Sequence, residues 1–493
     1  MISFLDPAFV ELIGFDHLYD DLKKFLTYKD LTVKYELDRF QKNSYWRNSL
    51  DPERYQERLE ELKDSQNVCL LKEASGKLIT YSGLIEELQF RYPDLGQVED
   101  KLPVPKSKLI PWDKKPEFEL RYYQKEALDR LLEVRHGNVS MPTGSGKTLI
   151  ILNIVKSLGL KSVVIAPSKS IAKQIFELFK HHFSEKYVGF FGDGKKNSKK
   201  LFTVGIAASF TRIEPDTEDW KNLSQVQVTV VDESHLTATD TQEKFCTGVF
   251  KDSPYRYFFS ATQLRNDGSE LLLKGIIGKN VYSLTTDDLV NQGFLAKPNF
   301  LIYKAESKSA YASKDAMRMI SKHIYQNTDL HKKVAEMANK SVELFGHKVL
   351  IMIDQVSQFG LLHPYLKFQT EFAHGGSISK ENQGLIPEKY LKSDSTDLVN
   401  KFNKGEIPIL VGTSCISVGT DIKPVDVIYN LQAGKSEVKF TQLVGRGTRT
   451  TETKKQFYFV DYDIVNINTL HFHTIARINI YNSFYKNLRY IKV

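Results

Sequence analysis

The chain has 493 residues, a formal net charge of +8 and a hydrophobic content of 41%. This length exceeds a single hydrophobic core and predicts about three domains, and no apolar run approaches the roughly 18 residues of a membrane span, which argues against a membrane partner. The N-terminus lacks the basic and small-residue features of a signal peptide, so we expect a cytoplasmic protein, and the positive charge is compatible with an anionic partner.

The N-terminal part, residues 1–110, is predicted to form a small α+β domain that ends in a linker. Its segment NVCLLKEASGKLITYSGLIEELQ contains two apolar strands around a turn at Gly76. An amphipathic helix through about Gln89 follows, with Ser82 as its predicted N-cap. Residues 100–120 carry four prolines and five lysines without apolar periodicity, which is typical of a linker. We therefore expect a separate N-terminal unit.

Two sets of short β-branched and aromatic runs follow, separated by helical patterns. The first set is GNVSM, SVVIAP, FTVGIAA, VQVTVVDE and YRYFFSAT, and the second is KVLIMID, TEFAHGG, IPILVGT, VDVIYNL and QFYFVDY. Continuous apolar strands that alternate with helices predict an α/β fold with two parallel sheets covered on both faces. We expect one sheet in residues 111–295 and the other in residues 296–493. Functional residues should lie at the carboxyl ends of the strands.

The stretch MPTGSGKT, residues 141–148, has the spacing of a phosphate-binding loop, although Met141 occupies the position of the first glycine. Its glycines let the backbone approach an anion, the lysine reaches the β and γ phosphates of ATP, and the final threonine would bind Mg2+. The predicted ATP-binding residues of this loop are Thr143, Gly144, Ser145, Gly146, Lys147 and Thr148. A chance glycine turn is the alternative.

Two adjacent acids follow the predicted strand VTVV. Asp232 would hold Mg2+, and Glu233 would act as the base that polarises the attacking water. A solvated turn is the alternative for two acids at the end of a strand, but the phosphate-binding loop upstream favours the hydrolytic interpretation. ATP and Mg2+ are therefore the predicted cofactors.

The segment DESH, residues 232–235, resembles the D-E-x-H box of superfamily 2 helicases, and other motifs of that superfamily occur in order. LRYYQ resembles the adenine-recognition motif, and SATQLRNDG the motif that couples hydrolysis to movement. APSKSIAKQ and VGIAASF resemble the strand-contacting motifs of the first motor domain. GTSCISVGTDIKPVD and QLVGRGTR resemble motifs of the second, the latter carrying arginine fingers. The ordered set covers residues 118–462, and superfamily 2 loops commonly open with a non-glycine residue, as Met141 does here.

The resemblance implies two tandem RecA-like motor domains, preceded here by the small N-terminal domain. In the first motor domain Gln124 would read the adenine base, with Arg121 as a supporting group. Hydrolysis would be coupled to movement through His235, Ser260 and Thr262. Simple strand caps are the alternative for the serine and the threonine.

In the second motor domain the resemblance assigns nucleotide binding to Gly419 and Asp421. The catalytic residues implied there are Gln442, Arg446 and Arg449. The offset of three between the two arginines predicts that both lie on one face of a helix. Surface charges are the alternative for this pair.

Within the superfamily, the chain resembles the phage UvsW-type branch-migration helicases. The likeness rests on the N-terminal hairpin and helix, on LRNDG, on TTDDLVNQGFLAKP and on VLIMIDQVSQ, with residues 40–66 as an insertion. It implies an ATP-dependent DNA helicase or translocase that acts on branched DNA in replication, recombination or repair. Single-stranded and branched DNA are the implied partners, bound largely without sequence specificity.

Two alternatives remain open for the function. RNA or an RNA:DNA hybrid is the alternative substrate, because the motor motifs alone do not distinguish it from DNA. A scaffold with an inactive motor would require loss of Lys147, Glu233 or Arg449, and all three are present. We expect the protein to be a monomer in solution.

Overall fold

The computed structural model describes most of the chain and divides it into two compact units. The described residues are 1–43, 46, 49–117, 119–261, 268–375, 378–392, 394–416, 422, 425–450, 454–484 and 491–492. The first unit comprises Met1–Met141 and Gly146–Ser283, and the second comprises Pro142–Ser145 and Leu284–Val493. Among the described residues, no helix has the length and apolar character needed to cross a lipid bilayer.

The first unit begins with a small α+β region. Its strands are β1 (Ile2–Phe4), β2 (Phe9–Leu12), β3 (Thr27–Lys29), β4 (Asn67–Cys69), β5 (Lys72–Ala74), β6 (Lys77–Tyr81) and β7 (Val98–Glu99). Five of them form a sheet in the order β5-β6-β2-β1-β7, and β3 pairs with β4. The helices are Tyr19–Phe25, Leu31–Lys42, Pro52–Ser65 and Ile85–Arg91. The predicted hairpin is confirmed as β5 and β6, with Gly76 at φ +72° in the turn.

The predicted helix after this hairpin is present, but its predicted N-cap is wrong. Ser82 is the first residue of a short 3-10 turn, Ser82–Leu84, which precedes the helix Ile85–Arg91. Its hydroxyl donates to the carbonyl of Pro7 at 2.8 Å. The serine therefore ties the turn to the chain before β2 and does not satisfy the amides of the helix.

The larger sheet of the first unit contains eight strands. They are β8 (His136–Ser140), β9 (Ser162–Ala166), β10 (Val188–Gly192), β11 (Lys195–Lys196), β12 (Phe202–Ile206), β13 (Val228–Val231), β14 (Tyr255–Ser260) and β15 (Asn280–Ser283). Their order is β11-β10-β12-β9-β13-β14-β8-β15, and every pair except β10–β11 is parallel. The helices are Tyr122–Glu133, Lys147–Leu158, Lys169–His182, Ala207–Phe210, Glu218–Leu223, Thr239–Thr247 and Glu270–Ile277. All five predicted strands of this sheet are confirmed.

The second unit contains a seven-stranded parallel sheet. Its strands are β16 (Lys297–Ala305), β17 (Val349–Met352), β18 (Thr370–Ala373), β19 (Ile409–Gly412), β20 (Val427–Asn430), β21 (Gln456–Ile464) and β22 (Ile491–Lys492), in the order β18-β19-β17-β20-β21-β16-β22. The helices are Thr286–Asn291, Ala316–Ile320, Thr328–Phe345, Ser357–Leu362, Lys380–Gln383, Ser395–Lys404, Glu437–Gly447 and Asn468–Phe484. The predicted α/β class with two parallel sheets is confirmed.

The small N-terminal sheet shares a hydrophobic core with the eight-stranded sheet of the same unit. Leu84 and Leu88 belong to one cluster of buried side chains with Leu272 and Ile276 of the helix Glu270–Ile277. Burial of this apolar surface stabilises both parts together. The predicted domain boundaries at residues 110 and 295 stay predictions. The two compact units of the chain divide after Ser283.

The segment predicted as a linker has no helix or strand among its described residues, but it packs on the eight-stranded sheet region. The ring of Trp112 stacks on Phe183 with centroids 5.1 Å apart. The amide of Asp113 donates to the carbonyl of His182 at 2.9 Å. These contacts hold the segment along the first unit.

Candidate nucleotide-hydrolysis site

The phosphate-binding loop follows β8 and leads into the helix Lys147–Leu158, as predicted. Gly144 and Gly146 adopt φ of +87° and +83°, a conformation that costs glycine little and other residues more. The amide of Ser145 donates to the carbonyl of Pro142 at 3.2 Å, which closes the turn. The start of the helix after such a loop presents free amides to an anion.

Gln124 lies directly beside this loop. A Cβ atom on Gly146 would come within 2.3 Å of its side-chain nitrogen, so the amide occupies the space that a side chain would need. The oxygen of the same amide accepts a hydrogen bond from the backbone of Arg121 at 2.9 Å. The structure therefore brings the predicted adenine-reading residue next to the loop, with Arg121 at the start of its helix.

The acidic pair, Asp232 and Glu233, lies at the end of β13, and Glu233 contacts the lysine of the phosphate-binding loop. The ammonium group of Lys147 is 2.9 Å from a carboxylate oxygen of Glu233 and donates to the carbonyl of Met141 at 3.2 Å. Glu233 has φ of +46°, in the left-handed region that non-glycine residues rarely adopt. Such backbone strain is concentrated at functional sites, where surrounding contacts maintain it. The two residues predicted for phosphate binding and for water activation are thus in direct contact.

Asp232 is buried at 4% exposure, and its environment suits a divalent cation. Burial raises the pKa of its carboxyl group, the charge of Glu233 raises it further, and Lys147 opposes both. A divalent cation would stabilise the ionised carboxylate that burial disfavours. Thr148 is the second residue of the helix that starts at Lys147. Asp232 and Thr148 carry the oxygen atoms that would hold Mg2+, which would neutralise phosphate charge when bound.

A chain of polar contacts joins the acidic pair to the end of β14. The Nδ1 atom of His235 is 3.4 Å from a carboxylate oxygen of Glu233 and 3.0 Å from the hydroxyl of Ser260. Ser260 is the last residue of β14, and its carbonyl accepts the amide of Met141 at 2.9 Å. Two of the predicted coupling residues therefore contact each other, and the third, Thr262, lies outside the described residues.

Of the three catalytic residues predicted in the second unit, two lie on one helix and the third lies beyond its end. Gln442 and Arg446 lie on the helix Glu437–Gly447, and Arg446 is buried. Arg449 lies beyond the end of this helix, where it pairs with Leu295 in an isolated antiparallel bridge. The prediction that both arginines share a helical face is therefore wrong. Thr448 follows the last residue of this helix, and its hydroxyl donates to the carbonyl of Gly445 at 2.9 Å.

Burial lowers the pKa of the Arg449 guanidinium group. Its predicted partners in nucleotide binding, Gly419 and Asp421, lie outside the described residues, as does the side chain of Gln442. The catalytic roles of the three second-unit residues therefore stay predictions.

Lys454 supports the helix that carries Arg446 and was not predicted from the sequence. The ammonium group of Lys454 is buried and donates to the carbonyls of Val425 and Gly447, the latter at 2.8 Å. It thus satisfies the last carbonyl of the helix that carries Arg446. Burial lowers the pKa of Lys454 to about 8. Its sequence context, TETKK, is that of an ordinary charged surface and gave no indication of this role.

Two family models match the chain. Residues 117–265 match the model described as the res subunit of type III restriction enzymes, and residues 332–451 match the model described as the helicase conserved C-terminal domain. The first match contains the phosphate-binding loop and the acidic pair, and the second contains both predicted arginine fingers.

Two curated proteins are similar in sequence. A protein of Sulfolobus islandicus filamentous virus named as helicase 22 is 23% identical over 374 residues, which cover 70% of this chain and 64% of that protein. The DNA 3'-5' translocase XPB2 of Sulfurisphaera tokodaii is 25% identical over 377 residues, which cover 71% of this chain and 81% of that protein. The match to the viral protein thus spans slightly less than two thirds of its length.

Two solved structures match the chain in the structural comparison. The crystal structure of T4 UvsW covers 100% of this chain and 98% of its own, at 16% identity and a TM-score of 0.43. The structure of S. cerevisiae Dbp5 bound to RNA and ADP BeF3 covers 76% of this chain and 89% of its own, at 15% identity and a TM-score of 0.52.

The predicted pair of RecA-like domains is confirmed, and the chain belongs to the superfamily 2 helicases.

Proposed function

We propose that this superfamily 2 helicase is an ATP-dependent DNA translocase of the UvsW type that acts on branched DNA. The observation that carries the proposal is the continuous set of contacts from Lys147 through Glu233 and His235 to Ser260. A change at the phosphate of ATP can pass along these contacts to the segment that follows β14. Such a connection between hydrolysis and a distant part of the motor is what stepping along a strand requires.

In the proposed reaction Lys147 and the loop amides bind the phosphates of ATP, and Glu233 accepts the proton of the attacking water. Lys147 holds the carboxylate of Glu233 at 2.9 Å, and binding of a phosphate to the lysine would release that carboxylate for the water. Arg446 and Arg449 would stabilise the charge that develops on the transferred phosphoryl group. The protein would act as a cytoplasmic monomer that contacts DNA phosphates without sequence preference.

The relative XPB2 is named a DNA translocase, and its similarity covers 71% of this chain, which favours DNA over RNA as the substrate. RNA or an RNA:DNA hybrid is the second candidate, because Dbp5, which has a similar fold, was solved bound to RNA. The two classes differ in the helix geometry and the 2′-hydroxyl groups they present.

The test compares stimulation of ATPase activity by single-stranded DNA, a four-way DNA junction, single-stranded RNA and an RNA:DNA hybrid. We expect the two DNA substrates to stimulate most and the junction to be unwound. Glu233→Gln should bind ATP and DNA but hydrolyse slowly, which ties the signal to this site. Stimulation by RNA alone would assign the protein to the second candidate, and wild-type hydrolysis by Glu233→Gln would contradict the assigned base.

A further inference from the structure

The short turn between β10 and β11 carries an acidic residue in an unusual backbone conformation. Gly192, Asp193 and Gly194 have φ of +127°, +52° and +79°. The two glycines adopt such angles readily, and aspartate is one of the few other residues that tolerate the left-handed region. The turn packs closely on its surroundings, because a Cβ atom on Gly192 would come within 2.9 Å of the Ser209 hydroxyl.

Asp193 bridges two lysines of a neighbouring helix. One carboxylate oxygen is 2.6 Å from the ammonium group of Lys169, and the other is 3.5 Å from that of Lys173. These lysines lie four residues apart on the helix Lys169–His182 and therefore on one face. The hydrogen bond from Lys169 is the main cause that lowers the pKa of Asp193, so the carboxylate is ionised at neutral pH.

The bridge lies at the surface and is open to competition. The side chains of both lysines are 53% exposed and that of Asp193 is 35% exposed. Ion pairs at such exposure are weak, because water and salt screen them. A backbone phosphodiester carries one negative charge and two non-bridging oxygens, as a carboxylate does, so it can replace Asp193 at the same two lysines.

A cleft of about 550 Å3 opens beside the turn. Its charged and hydroxyl lining groups include Asp193, Lys195, Lys196, Ser209, Arg212 and Glu214. Asp219 also lines it and is already engaged, since its carboxylate accepts the Ser198 hydroxyl at 2.6 Å. Three cations and three carboxylates thus face the cleft, and a phosphate that approaches it meets no net positive charge while Asp193 is ionised.

We propose that Asp193 competes with the nucleic-acid backbone for Lys169 and Lys173. Its carboxylate occupies the two lysines in place of a phosphate and so weakens the binding of this motor unit to the strand. The inference rests on the proposed function, since it requires a nucleic-acid substrate. A translocating motor must release each phosphate that it binds. A carboxylate held beside the two lysines returns to them as the phosphate leaves and so favours release.

The test uses Asp193→Asn in the full-length protein. Asparagine tolerates the left-handed backbone as aspartate does, so the turn is preserved while the charge is removed. Glu185→Gln is the matched control. Glu185 lies just beyond the opposite end of the same helix, pairs with Lys180 at 2.8 Å, and its substitution changes the net charge equally. Binding of a single-stranded DNA oligonucleotide is measured as a function of salt for both variants and the wild type.

We expect Asp193→Asn to bind the oligonucleotide about 5- to 10-fold more tightly than the wild type at low salt. The plot of log affinity against log salt should become steeper by about 0.7 to 1.4, the contribution of one or two additional phosphates on single strands. The ratio of bases unwound to ATP hydrolysed should fall, since release becomes slower. Glu185→Gln should stay within about 2-fold of the wild type, the range expected for one distant charge.

A second pair of variants checks the assigned lysines. Adding Lys169→Ala and Lys173→Ala to Asp193→Asn should cancel the gain in affinity. Equal affinity and salt dependence of Asp193→Asn and Glu185→Gln would overturn the inference, as would weaker binding by an Asp193→Asn protein of wild-type thermal stability. A wild type that neither binds nor is stimulated by any nucleic acid would instead overturn the proposed function, so the two failures are distinguishable.

Discussion

The first unit contains two regions that differ in how they are built from the chain. At the nucleotide-hydrolysis site, each functional residue follows a strand, and parallel strands deliver their loops to one edge of the sheet. At the junction of the N-terminal sheet with the eight-stranded sheet, no motif is involved, and the contacts join residues far apart in sequence. The functional residues of the first region lie in short sequence motifs, whereas the packing of the second region depends on contacts across the whole fold.

The junction is as closely fitted as the site. A Cβ atom on Gly83 would lie 2.4 Å from the carbonyl oxygen of Gly275, so the two backbones touch. The hydroxyl of Tyr81 donates to the carboxylate of Glu243, which lies on the helix that follows the acidic box. Lys274 pairs with Glu87 across the same junction. These contacts connect the N-terminal region to the elements that carry the hydrolysis site.

The largest effect is expected at the hydrolysis site, from Lys147→Ala. The substitution removes the ammonium group that contacts Glu233 and is assigned to the phosphates, so the ATPase rate should fall by about 100-fold or more. Nucleic-acid binding should be retained. The measurement is steady-state ATPase activity with saturating DNA, beside Lys221→Ala, an exposed lysine on the same unit, as control. Loss of less than 10-fold would place phosphate binding elsewhere.

The junction is tested by Gly83→Ala, which adds a single methyl group. Because the nearest atoms are backbone oxygens of Lys274 and Gly275, the two parts must move apart, at a cost of about 1–3 kcal/mol. For a unit of this size the Tm should drop by roughly 3–10 °C. Lys221→Ala, at an exposed lysine of the same unit, is the control.

Tryptophan fluorescence is the measurement for this variant, because the three tryptophans of the chain, Trp46, Trp112 and Trp220, all lie in the first unit. An unchanged melting curve for Gly83→Ala would mean that the junction is loose. It would also support an N-terminal region that folds separately and can be removed without harm to the motor. With the shared core, we expect such a deletion to destabilise the whole first unit.

The two regions differ in how far the sequence predicts them. The strands of both parallel sheets were predictable where apolar runs are continuous, but β10, β11, β15, β16 and β22 were not identified. Ser82 fitted the pattern of an N-cap, and only the position of Pro7 reveals that its hydroxyl is used elsewhere. For Arg449, spacing alone suggested a helical face, although the glycine and threonine before it are weak helix formers. The shared core has no local pattern at all.

A smaller effect is expected from Ser260→Ala. The variant removes the hydroxyl that lies 3.0 Å from His235 and leaves Lys147 and Glu233 in place. A hydrogen bond of this kind contributes about 1 kcal/mol, so we expect unwinding to fall by roughly 5-fold and ATPase activity by less. Ser253→Ala, a buried serine before the same strand whose hydroxyl donates to Tyr255, is the control. Equal losses in both activities would remove the coupling role.

The last effect concerns the pH dependence of stability at the junction, where His136 is half-buried. Its Nε2 atom is 2.8 Å from the carbonyl of Ile276, and its Nδ1 atom is 3.5 Å from the hydroxyl of Ser82. Burial, helped by the charge of Arg256, lowers the pKa of His136 to about 4. Above pH 6.5 the imidazole is neutral in both the folded and the unfolded chain, so it has no effect on the pH dependence of stability there.

Between pH 6.5 and about 4, the unfolded chain binds a proton at this histidine and the folded chain does not. The first unit should therefore lose stability as the pH falls through this window, by about 2 kcal/mol at pH 5. The raised pKa of Asp232 acts in the opposite direction, because the folded chain holds its proton to higher pH. Only the difference between wild type and His136→Gln isolates the contribution of the histidine.

The measurement is denaturant unfolding followed by tryptophan fluorescence at pH 7 and pH 5. His136→Gln should be less stable than the wild type at pH 7, because packing at the junction is disturbed, yet it should lose less stability on acidification. His182→Gln, at a buried histidine elsewhere in the first unit, is the matched control. If His136→Gln kept the wild-type dependence on pH, the imidazole would have to bind a proton equally in the folded and the unfolded chain, and the loss of stability in acid would not come from His136.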